Sequence, residues 1–165
     1  MTAFIDEVNG QPRALRRLVD FYSENGASRL ETWRKLAAEN RDMTFVGMGT
    51  SEHTSWLIHD ILTDSGHRPV VYDAGEFLHY LLASFPRQGL VVLLYQSGES
   101  VETKKVTLAL EGALKVVLTN CEESSMGRAA DLCLPLMAEP EKSITNQTYL
   151  NTLALLYLMA GGESE

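Results

Sequence analysis

The segment Gln96-Ser97-Gly98-Glu99-Ser100 places an amide, two hydroxyls and a glycine directly after the apolar run from Leu90 to Tyr95. An apolar strand that stops in small polar residues and then opens a helix makes a seat for an anion. The first helical N–H groups lack intrahelical partners, and the helix dipole favours negative charge there. Serine hydroxyls add further donors for phosphate oxygens. The segment holds no lysine and lacks the Gly-x4-Gly-Lys-Ser/Thr spacing, so it is not a nucleotide P-loop. The plainer reading is an ordinary strand-to-helix turn capped by serines. A second stretch of the same character, Gly47-Met48-Gly49-Thr50-Ser51, follows the apolar run Met43 to Val46. Two such loops favour a phosphate or sugar-phosphate pocket over two unrelated turns.

Gly47-Met48-Gly49 is not a dinucleotide fingerprint, because the position of its third glycine holds Glu52. Four ionisable residues lie near predicted strand ends: His53, Glu76, Glu139 and Glu141. Proton transfer between adjacent sugar carbons needs a base held near the substrate, and each of the four is a candidate. Each also fits a solvated surface position or, for His53, a capping one, so the base stays unassigned. Lys142 stands beside the last two and can neutralise a phosphate or pair with Glu139. No spacing of His, Cys, Asp and Glu suggests a metal site, and no cofactor is expected.

The elements that position these residues follow from the apolar pattern. Helical periodicity predicts a helix over Gln11–Tyr22, with Pro12 near its start, and another over Ser28–Ala38. Apolar runs predict strands at Met43–Val46, Pro69–Tyr72, Leu90–Tyr95, Leu114–Thr119 and Leu132–Leu136, the last an edge strand because Pro135 cannot donate to a central ladder. Helices are expected between them, including Ala74–Ala83 and Glu99–Gly112, and a long apolar helix from Asn146 to Met159 closes the chain. Alternating strands and helices imply right-handed crossovers and a parallel sheet covered on both faces. In such sheets ligands sit past the carboxyl ends of the strands at the switch in strand order, which selects the two small-residue loops.

The 165 residues suit one domain with a sizeable core, and 45% hydrophobic with 22% charged residues is a globular composition. A net charge of −8 argues against a nucleic-acid surface. No apolar run reaches membrane-spanning length and no signal pattern opens the chain, so a cytoplasmic location is expected. Cys121 and Cys133 read as free core thiols of a reducing compartment. The expected organisation is N-terminal helices over residues 1–40, a binding domain over 41–160 and a disordered tail over 161–165.

These motifs together resemble the sugar isomerase (SIS) domain family. The residues that carry the resemblance are Phe45 to Ser51, Ala74 to Phe77, Tyr95 to Thr103, Thr119-Asn120 with Ser124-Ser125, Ala130 to Leu132, and Glu139 to Ser143. More narrowly, the chain is similar to the first half of the isomerase part of glucosamine-6-phosphate synthase and related aminosugar-phosphate isomerases and deaminases. The resemblance implies an α/β three-layer sandwich with a five-stranded parallel sheet in flavodoxin-like order. It also implies a sugar-phosphate ligand held by Thr50, Ser51, Gln96, Ser97, Gly98 and Ser100, the phosphate falling to Ser97 and Ser100. This chain has Tyr95 where the family often has serine. If Glu141 matches the family's glutamate, Asn146 and Thr148 stand for the serine and lysine of its Val-Ala-Ser-Thr-Lys run.

Proteins of that group hold two such domains, with the proposed base in the second. The resemblance therefore leaves open an isomerase completed by a second SIS domain, and a non-catalytic phosphosugar-sensing or regulatory module. A DNA-reading segment is not in view, since Arg13, Arg16 and Arg17 on one short helix are too few. The breadth of the apolar surface on the last helix, with the family analogy, implies a homodimer or contact with a second SIS domain.

Overall fold

A computed structural model describes residues 3–86, 89–96, 101–142 and 144–161. Its five strands are β1 (Asp42–Gly47), β2 (Arg68–Asp73), β3 (Leu90–Leu94), β4 (Leu114–Thr119) and β5 (Leu132–Pro135). They form one parallel sheet in the order β2-β1-β3-β4-β5, the flavodoxin-like order that the resemblance implied. All five residues of β3 are buried, as befits a central strand covered on both faces. Pro69 and Pro135, the two strand prolines, lie in the edge strands β2 and β5, where a missing N–H costs least.

Helices cover both faces. Four of them, α1 (Ala3–Ser23), α2 (Ala27–Glu39), α3 (Thr50–Asp64) and α7 (Asn146–Met159), share a core with Phe45, Val92, Leu118 and Leu134 of the sheet. On the opposite face α4 (Ala74–Glu76), α5 (Val101–Ala109) and α6 (Ser125–Ala129) pack over Val46, Val91, Leu93 and Val117. Buried polar tethers lock the N-terminal helices to the rest. Tyr22 Oη donates to the Pro135 carbonyl at 3.0 Å, Trp33 Nε1 to the Met159 carbonyl at 2.7 Å, and Asn151 Nδ2 to the Ala14 carbonyl at 3.1 Å.

Three expectations change. The first helix begins at Ala3 rather than Gln11 and runs through Pro12. Its early turns are held from across the chain: the Lys142 N–H donates to Glu7 Oε1 at 2.6 Å, and Gln147 Nε2 donates to the Glu7 carbonyl at 3.0 Å. Those contacts offset the donor that Pro12 lacks. The helix after β2 is a single α-turn that widens into a π-helical turn over Phe77–Leu81, with Leu82 N–H donating to the Phe77 carbonyl at 2.8 Å. Both cysteines are free, but Cys121 is exposed in the turn after β4 and is not a core residue. Of the expected tail, residues 162–165 lie outside the described residues.

Candidate functional site

The site starts where β1 ends. Gly47 allows the first turn of α3 to fold back over the strand: a Cβ there would lie 2.8 Å from the backbone N of Glu52. Gly49 then takes φ 58° and ψ −119°, a conformation that side chains other than glycine rarely adopt. The chain therefore reverses tightly and starts α3 with Thr50 and Ser51 at the lip of a cleft. Thr54 Oγ1 donates to the Ser51 carbonyl at 2.8 Å and Ser55 Oγ to the same atom at 3.2 Å, which stiffens this first turn.

The second contributor is the end of β3. Gln96 follows the strand, and its carbonyl accepts from the Asn120 N–H at 3.3 Å, so the ends of β3 and β4 stay aligned. Gln96 lines the same cleft as Thr50 and Ser51. Thus Thr50, Ser51 and Gln96, from two different loops, meet at the point where the crossovers change face between β1 and β3. Ser97, Gly98 and Ser100 lie outside the described residues. Tyr95 is 3% exposed and places its ring in the core with Val46 and Phe77, not in the cleft.

The third wall is α7 with Thr145 just before it, a wall that the apolar pattern of the sequence does not single out. Thr145, Thr148, Tyr149 and Thr152 line the cleft, which is open to solvent. Thr145, just before the helix, and Thr148, Tyr149 and Thr152 within it recur at helical spacing as a polar stripe, which is present in the sequence but reads as a site only once α7 lies beside α3. Asn120 ties this wall to the sheet. Its Oδ1 accepts from the Ala138 N–H and its Nδ2 donates to Thr148 Oγ1, both at 3.1 Å. The described lining is therefore hydroxyls and an amide, without carboxylate, imidazole or ammonium.

None of the four candidate bases is among those lining residues. His53 is exposed on α3, and Glu76 is exposed in the turn that Asp73 caps through the Gly75 and Glu76 N–H groups at 2.8 and 3.1 Å. Glu139 meets Arg17 Nη1 at 2.5 Å and Arg13 Nη2 at 3.0 Å, and the hydrogen bond from Arg17 holds its carboxyl below the usual glutamate range. Glu141 closes the start of α7: its Oε1 accepts from Gln147 N–H at 2.7 Å and its Oε2 from Thr148 N–H at 3.1 Å. Lys142 offers its backbone N–H to Glu7, and its ammonium has no part in these ion pairs. Among the described residues no cluster of His, Cys, Asp and Glu is arranged to hold a metal ion, and no helix is long and apolar enough to cross a membrane.

Comparison with known proteins agrees with this architecture. The profile of the SIS domain matches residues 35–160. The glutamine–fructose-6-phosphate aminotransferase (isomerizing) of Shouchella clausii (strain KSM-K16) is 29% identical over 162 residues, covering 94% of this chain. The chain spans only 27% of that relative's length. Among solved structures, the tagatose-6-phosphate ketose/aldose isomerase of Escherichia coli superposes with a TM-score of 0.76 at 16% identity, covering 96% of this chain and 47% of that one. The sugar isomerase domain of the RpiR transcription factor of Sphaerobacter thermophilus superposes with a TM-score of 0.77 at 17% identity, covering 95% and 87%. At these identities the structural likeness is one of fold. With the family profile matched over residues 35–160, the chain belongs to the SIS domain family.

Proposed function

We propose that this chain is a phosphosugar-binding domain that serves in an aldose–ketose isomerase or deaminase acting on an aminosugar or hexose 6-phosphate. The observation that carries this reading is the convergence of Thr50, Ser51 and Gln96, from two strand ends, on one hydroxyl-lined cleft at the switch point. Ser97, Gly98 and Ser100 follow Gln96 in the sequence and precede α5, and the phosphate is assigned to the hydroxyls of Ser97 and Ser100. Thr50, Ser51 and Gln96 orient the sugar. Isomerisation moves a proton between C1 and C2 through an enediol or enolamine and needs a base. By family analogy a second SIS domain, or a second copy of the chain, supplies that base.

The face for that partner is the apolar groove of about 130 Å³ between α3 and α7, with Leu57 59%, Ile61 41% and Tyr157 55% exposed. Thr54 lines both this groove and the cleft, so a partner seated there stands next to the sugar. A cytoplasmic location is part of the same proposal. A second reading, a non-catalytic phosphosugar sensor, is supported by the likeness to the sugar isomerase domain of the RpiR transcription factor.

Titration with hexose 6-phosphates during thermal unfolding tests the pocket. A ligand at a hundredfold excess over its Kd adds about 2.7 kcal/mol, or roughly 5–10 °C in Tm for a domain of this size. Absence of a shift with every hexose 6-phosphate, or a shift untouched by Ser97→Ala with Ser100→Ala, overturns the proposal. A coupled aldose–ketose assay then separates enzyme from sensor.

A further inference from the structure

We infer that Asn120 and Thr148 form a directed hydrogen-bond donor that reads a neutral oxygen of the sugar, not its phosphate. This rests on the phosphosugar reading above. The orientation of the Asn120 amide is dictated by its neighbours. The Ala138 N–H can only donate, so Oδ1 faces it, and the NH2 group faces Thr148 Oγ1 at 3.1 Å. Thr148 Oγ1 must then accept, and its own proton points elsewhere. No acceptor for that proton occurs among the described residues, although Thr148 is 3% exposed and lines the cleft. A buried hydroxyl whose proton meets no acceptor among the described residues can donate to a ligand at the cleft wall.

The local charge decides which acceptor. The Glu141 carboxylate sits at the start of α7, where its Oε2 accepts from the Thr148 N–H at 3.1 Å. A phosphate dianion beside that carboxylate would be repelled, whereas a hydroxyl or carbonyl oxygen of the sugar would not.

The test is a double-mutant cycle read by calorimetric titration of fructose 6-phosphate, glucosamine 6-phosphate and inorganic phosphate. Thr148→Val is expected to weaken binding of the better sugar phosphate by about tenfold, the scale of one buried hydrogen bond left unmade. Thr148→Ser should bind like wild type, and the affinity for inorganic phosphate should not change in either variant. Asn120→Asp keeps the acceptor for Ala138 but makes Thr148 donate to the carboxylate, so it should cost the sugar phosphate about as much. This variant preserves shape and carries the test alone should Thr148→Val fail to fold. In the double variant the losses should not multiply, since both remove the same donor. Sugar-phosphate affinity within twofold of wild type in Thr148→Val or Asn120→Asp overturns the inference, as do multiplicative losses or an equal loss for inorganic phosphate. Failure of the wild-type protein to bind either sugar phosphate is a different result, which overturns the phosphosugar reading itself and this inference with it.

Discussion

Glu141→Ala probes how the cleft's third wall is held. The residue that precedes α7, Thr145, makes no side-chain cap, so the first N–H groups of the helix depend on a carboxylate from upstream. Glu141 serves two of them, with its oxygens at 2.7 and 3.1 Å from the nitrogens of Gln147 and Thr148. A lost N-cap costs about 0.5–2 kcal/mol, and this one is charged, half-buried and doubly bonded, so the upper end applies. The expected loss for Glu141→Ala is about 2 kcal/mol, which lowers Tm by roughly 4–8 °C in a domain of this size. Glu141→Gln keeps an acceptor oxygen but loses the charge, and about 1 kcal/mol is expected. Urea unfolding followed by circular dichroism measures both, with an unchanged slope required for the comparison. A Glu141→Ala midpoint within about 0.5 kcal/mol of wild type would refute the cap, since that is the range of an ordinary surface substitution. The same variants separate structure from chemistry: a proton-transfer base lost as Glu141→Gln would abolish turnover and leave stability alone.

Two further outcomes follow from other parts of the molecule. Gly47→Ala places a Cβ 2.8 Å from the backbone N of Glu52 and the carbonyl carbon of Ser51, atoms that cannot swing aside. The start of α3 must move, with a loss of about 1–3 kcal/mol and weaker hexose 6-phosphate binding, and a stability equal to wild type in urea would contradict the close approach. The Glu139 carboxyl titrates below its ordinary value of 4.5, chiefly through the hydrogen bond from Arg17. A depressed carboxyl stabilises the fold above that ordinary value and loses its contribution as the pH falls through the folded one. The advantage of wild type over Glu139→Gln should therefore be greatest near neutrality and fade in acid, and a difference that stays constant with pH would rule the ion pair out as its cause.

Much of this molecule is local in origin. Each strand announces itself as a short apolar run because it is buried on both faces or at an edge, and the ends of β4 and α7 fall where the pattern stops. Gly47 and Gly49 with Thr50 and Ser51 carry half of the cleft within one turn, because a strand that reverses straight into a helix needs small residues there. The other half depends on distance along the chain. The early turns of α1 exist because Glu7 meets Lys142 and Gln147, more than a hundred residues away, so neither periodicity nor the proline at position 12 revealed them. Glu139 and Glu141 looked alike as carboxylates after the last strand, and their partners alone separate them: arginines of α1 hold one, and the N–H groups of α7 hold the other. Thr145, Thr148, Tyr149 and Thr152 form a stripe visible in the sequence, yet a polar stripe has no function until something faces it. Packing α7 against α3 puts that stripe opposite Thr50 and Ser51, and a cleft exists only between surfaces that the folded chain brings together.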